Sequence, residues 1–147
     1  MSNEIEVILK QEKDFRFAID FGAGIPVLHG DEAAPLRGGT GPNPVQLLTA
    51  AVGNCLSDSL FFALKKFKQD AQGITTKASA TVSRNAENRL RVARIQVELR
   101  LGAPAATIEP LQRVMDQFES FCTVAQSVGR GIPIEVMVFD GAGAKVK

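Results

Sequence analysis

Hydrophobic residues alternate with charged ones from the first turn of the chain. Ile5, Val7 and Leu9 stand at every second position of IEVILK, with Glu6 and Lys10 as charged neighbours, and Phe15, Phe17 and Ile19 alternate again in DFRFAID. This period of two predicts two half-buried strands, with Gln11 to Asp14 as the hairpin turn and a short third strand from Ile25 to Leu28. A long loop rich in Gly and Pro, HGDEAAPLRGGTGPNP, follows. It ends in a helix start: Asn43 as N-cap, Pro44 at the first helical position and Gln46 as capping-box partner. The segment VQLLTAAVGNCLSDSLFFALKKF is apolar on nearly every side and predicts a central, buried helix. Gly53 costs about 1 kcal/mol of helix propensity there, so close packing, with Thr49, Ala50 and Ala51 admitting a second helix, or a local kink must compensate.

Beyond Gly73 the period returns to two. TTKASATVSR and LRVARIQVELRL predict a hairpin about the turn AENR, and Ala93 and Arg94 interrupt the alternation of the second strand. Ile108, Leu111, Val114, Met115, Phe118, Phe121 and Cys122 then form a stripe at helical spacing, which predicts a second helix from about Thr107, with Pro110 in its first turn. Gly129 and Gly131 end it, and IPIEVMVF is the closing strand. Grouped strands and helices predict an α+β fold, not a doubly wound parallel sheet. The chain has 147 residues and no linker-like stretch, which fits one domain over 1–147.

Composition narrows the chemistry. The chain is 45% hydrophobic and 22% charged, with 17 basic and 16 acidic residues and no long block of either sign. No nucleic-acid footprint is visible. Asn54, Ser57, Asp58 and Ser59 interrupt the apolar helix and argue against a membrane span. The acidic start lacks the basic end and apolar run of a signal peptide, so the expected location is cytoplasmic. His29 is the single histidine, too few ligands of the right type for a metal site. Cys55 and Cys122 are far apart along the chain, at neither CxxC nor zinc spacing. Each is expected on a helix, and two packed helices would bring the thiols together. A free cysteine also packs as a small hydrophobe, and that reading stays open beside a reactive one.

The segments GGTGPNPVQLLTAAVGNCLSDSLFFALKK and FESFCTVAQSVGRGIPIEVMV resemble the two motifs of the OsmC/organic hydroperoxide resistance superfamily, in its broader OsmC-like branch. The first has a Gly-rich loop, a Pro-led helix and a cysteine about ten residues in. The second has a cysteine opening a short helix before the last strand. The resemblance implies an intertwined homodimer with two central helices wrapped by antiparallel sheets, and thiol peroxidase chemistry without metal, flavin or haem. By motif, Cys55 is the peroxidatic thiol and Cys122 the resolving one, with an organic hydroperoxide as substrate and an external dithiol as reductant. Phe61, Phe62, Phe118 and Phe121 would line a pocket for an apolar alkyl chain, or pack as ordinary core.

The family also lowers the thiol pKa with an arginine held by a glutamate. Val45 stands at the position of that glutamate. Arg16 and Arg37 are the two candidates for the cation, and either also reads as a solvated surface charge. Asp58 shares a helix face with Cys55, where its charge opposes thiolate formation unless an arginine bridges the two. Two other functions follow from the same residues: a dimer binding a small apolar ligand, and a redox sensor whose cysteines pair without turnover.

Overall fold

A computed structural model describes residues 2–36 and 38–147; Arg37 lies outside the described residues. The chain divides into two compact units, residues 1–47 and 48–147.

The first unit is an antiparallel sheet in the order β1 (Ile8–Lys13), β2 (Arg16–Asp20), β3 (Leu28–Gly30). The β1–β2 turn is tighter than the pattern predicts, because the strand runs on to Lys13 and Asp14 takes a left-handed φ of 53°. The third strand begins at Leu28, not Ile25. Pro26 has no N–H to give a ladder, and the pairing with β2 covers only Leu28 to Gly30. The Gly-rich loop then returns along this strand. Asp31 N donates to Pro42 O at 3.0 Å, and a Cβ at Gly41 would lie 1.7 Å from His29 O, so only glycine fits.

Helix α1 (Pro44–Lys66) starts as expected. Asn43 N donates to Gln46 Oε1 at 2.9 Å and Gln46 N donates to Asn43 Oδ1 at 2.8 Å, a closed capping box. Its first turn closes the first unit; the rest belongs to the second. Burial on nearly every side is not found. Val52, Leu56, Leu60 and Leu64, spaced by four, are wholly buried, while Phe61 and Phe62 are exposed. The helix has the length and hydropathy of a membrane span, but its buried stripe belongs to the core of the second unit. Gly53 is explained by close packing, against a strand and not a helix. A Cβ there would sit 3.1 Å from Ala78 Cβ.

The second unit pairs β4 (Ile74–Arg84), β5 (Leu90–Leu101) and β6 (Ile134–Phe139) in that order. The β4–β5 hairpin closes on Asn85, whose side chain accepts from the N–H groups of Glu87 and Arg89. Thr81 faces Arg94 and Val82 faces Val92, so Ala93 is a bulge at the point where the alternation breaks. The pairing of β5 with β6 is parallel, which corrects the all-antiparallel expectation. The helical crossover between them is long enough to return the chain in the same direction.

That crossover is not one helix. A 3₁₀ turn (Ala105–Thr107), α2 (Leu111–Gln117), a second 3₁₀ turn (Phe118–Phe121) and α3 (Thr123–Val128) replace it, with Cys122 extended at φ −80°, ψ 99°. Pro110 therefore caps α2 instead of lying inside it. Tightening to three residues per turn rotates the stripe: Phe118 and Cys122 stay fully buried and Phe121 turns outward. Asp140, past β6, is buried and accepts from the N–H groups of Ala105, Ala142 and Ala144. These bonds, Ala105 first, hold its carboxyl below the usual range.

Candidate thiol site

Cys55 precedes fully buried Leu56 on α1 and is itself half-buried. Cys122 has no exposed surface. It stands at the N-cap of α3, not within a helix, and its Sγ accepts from Ala125 N at 3.4 Å. Both are free thiols. Both belong to the core of the second unit, Cys122 within its buried cluster and Cys55 packed against that cluster. Burial is the main cause that pushes the Cys122 thiol up to about 11, and hydrogen bonding with Cys55 adds to it; Ala125 N–H and Ser59 act in the opposite direction. At neutral pH Cys122 is therefore a protonated, water-excluded thiol beside a partly accessible one.

Ser59 is the residue that sequence reasoning missed. Its position four after Cys55, on the same helix face, was the available signal. The other polar residues of this stretch are disposed of separately. Asn54 and Asp58 are exposed. The Ser57 hydroxyl lies 2.7 Å from Gly53 O and 2.6 Å from Thr76 Oγ1.

Arg16 is held within the first unit. Its Nε donates to Glu12 Oε1 at 3.1 Å and its Nη1 to Thr40 Oγ1. Thr40 in turn donates to buried Asp31 at 2.6 Å. Glu12 also takes Nδ1 of His29 at 2.7 Å, and this contact is the first cause that lowers the Glu12 pKa. Glu12, on β1, is thus the carboxylate that pairs with Arg16. Arg37 is outside the described residues. Among the described residues no three His, Cys, Asp or Glu side chains gather to hold a metal.

Of the four phenylalanines, Phe118 is core, with the Lys147 ammonium 5.3 Å from its ring centre. Phe61, Phe62 and Phe121 are exposed. A cavity of about 290 Å³ in the second unit is lined by none of them; Leu56, Ala125, Ile134 and Val136 form its apolar walls, and Glu119, Gln126 and Arg130 its polar ones.

The same fold recurs in solved structures of low sequence identity. An OsmC-like protein from Vibrio cholerae aligns with a TM-score of 0.79 at 14% identity, over 94% of this chain and 100% of that one. The organic hydroperoxide resistance protein OhrB of Bacillus subtilis aligns at 0.69 and 14%, over 92% and 98%. An organic hydroperoxide resistance protein from Elizabethkingia anophelis aligns at 0.69 and 17%, over 95% and 98%. No curated protein sequence matches. The family described as OsmC-like protein matches residues 37–137, the stretch that carries both cysteine motifs. On that match and this architecture, the chain belongs to the OsmC-like protein family.

Proposed function

We propose that the protein is a thiol peroxidase that reduces organic hydroperoxides, with hydrogen peroxide a poorer substrate. The packing of Cys55 and Cys122 in one core carries this reading. In the cycle, the Cys55 thiolate attacks the terminal peroxide oxygen. The O–O bond breaks, the alcohol leaves after taking up a proton, and Cys55 becomes a sulfenic acid. Cys122 attacks that sulfur, forming a disulfide and releasing water. An external dithiol restores both thiols by exchange. The cycle needs no metal, flavin or haem and suits a cytoplasmic setting, where thiols are kept reduced. Neighbours named organic hydroperoxide resistance proteins support the substrate class. Exposed apolar residues on β1 (Ile8, Leu9), the following turn (Phe15) and α1 (Phe61, Phe62) support a homodimer that covers them.

Val45 favours a second reading, in which the dimer binds a small apolar ligand or its cysteines pair as a sensor without turnover. Reduced protein mixed with cumene hydroperoxide and a dithiol separates these. Peroxide loss over many turnovers, abolished in Cys55→Ser by a factor on the order of 10³ or more, is expected. Loss of thiols in a single stoichiometric round identifies the sensor, and no loss of peroxide or thiol identifies the binding protein.

A further inference from the structure

Independently of the peroxide chemistry, we propose that the cavity between α1, α3 and β6 binds a short-chain monocarboxylate, its anion held by Arg130 and its alkyl part laid on the apolar floor.

The cavity, of about 290 Å³, lies wholly within the second unit. Leu56 of α1, Ala125 of α3, and Ile134 and Val136 of β6 make its floor. Leu56 and Ala125 are buried, and Ile134 and Val136 are half-buried. Gly129 borders the space without a side chain, and Glu119, Gln126 and Arg130 supply the polar wall. A volume of this size, at the lower end for ligand pockets, suits a small molecule. The mixed lining suits one with a charged head and a short apolar part, not a long alkyl chain.

The charges on that wall decide the sign of the head. Glu119 is already neutralised, because its carboxylate pairs with the Lys147 ammonium. Arg130 is not: among the described residues its guanidinium makes no ion pair and no hydrogen bond. Nor is it spent on the end of α3. The N–H of Gly129 takes the Ala125 carbonyl, those of Gly131 and Ile132 take the Val128 carbonyl, and the backbone N–H of Arg130 takes that of Ser127. The wall therefore keeps a free cation whose planar fork of N–H donors matches a carboxylate through two parallel bonds. Gln126 gives one Nε2 hydrogen to the Glu119 carbonyl at 3.0 Å and has a second to offer. An alkyl part on Leu56, Ala125, Ile134 and Val136 removes apolar surface from water, at about 0.8 kcal/mol for each buried methylene.

The experiment titrates hexanoate into reduced, isotope-labelled protein and follows the backbone amides by NMR, with hexanol, hexylamine and acetate as controls at equal ionic strength. Saturable shifts centred on Gln126, Gly129, Arg130 and Val136 are expected with hexanoate. Hexanol and hexylamine lack the anion, and acetate lacks the chain; each is expected to bind at least about tenfold more weakly. Arg130→Gln, at an exposed position where the fold is not at stake, is expected to weaken hexanoate by about tenfold or more and to leave hexanol unchanged. Arg130→Lys, which keeps the charge without the fork, recovers part of the loss. Shifts that do not saturate or that lie away from these walls overturn the proposal. So does hexanoate binding that survives Arg130→Gln intact, or that hexanol, hexylamine or acetate equals.

Discussion

Along β1 of the first unit every residue is exposed, although Leu9 continues the alternate-position series of Ile5 and Val7. Along β5 of the second unit the same alternation places Ile95, Val97, Leu99 and Leu101 in the core at 3% exposure or less. Among the described residues, Ile19 is the one buried hydrophobic of the first unit, while the second holds a continuous cluster from α1 through β5 to β6. Alternation therefore predicts a strand, but burial also needs a partner surface. In the second unit α1 and the crossover segment supply it, whereas β1 of the first unit stays exposed along its whole length.

The sharpest probe of this contrast is truncation on each side. Phe118→Ala should cost about 3–5 kcal/mol in denaturant unfolding, since the ring is wholly enclosed. Ile8→Ala, at 68% exposure, should cost less than about 0.5 kcal/mol in dilute monomeric protein. A larger loss at Ile8, growing with protein concentration, would show that a second copy covers β1.

The two regions should also fail at opposite ends of the pH scale. Cys122 has a raised pKa in the fold, near 11 against an ordinary 9.0. Its contribution is complete below pH 9 and lost as pH rises through 11. The unfolding free energy of wild type relative to Cys122→Ala should therefore fall by about 2–3 kcal/mol over that range. Glu12 has a lowered pKa. Its contribution is present above pH 4.5 and lost as pH falls through the folded value, a decline that His29→Ala should flatten in acid titration.

A modest effect is expected at the start of α1. Asn43→Ala removes one arm of the capping box and should cost about 1 kcal/mol. Asn43→Asp, which keeps an acceptor at the cap, should recover most of it. An unchanged midpoint for Asn43→Ala would mean that the core of the second unit alone holds α1.

Much of this was legible beforehand because it depends on neighbours in sequence. The α1 cap, the β4–β5 hairpin and the place of its bulge each follow from a few adjacent residues. The crossover reads as one helix because the stripe from Ile108 to Cys122 keeps helical spacing through a 3₁₀ turn, and spacing alone does not register the tightening. The extended backbone at Cys122, which frees its sulfur to accept from Ala125, was hidden for the same reason. The parallel pairing of β6 could not be read either, since side chains alternate identically in both directions.

By itself the sequence determined the element types, the helix start and the two cysteine motifs, all carried by local spacing and backbone preference. Tertiary structure alone decided that Cys122 is sealed from water, that it shares one core with Cys55, and that Glu12 pairs with Arg16. Those outcomes depend on which surfaces meet once the chain has closed, and close approach between distant residues leaves no periodic trace along the polypeptide.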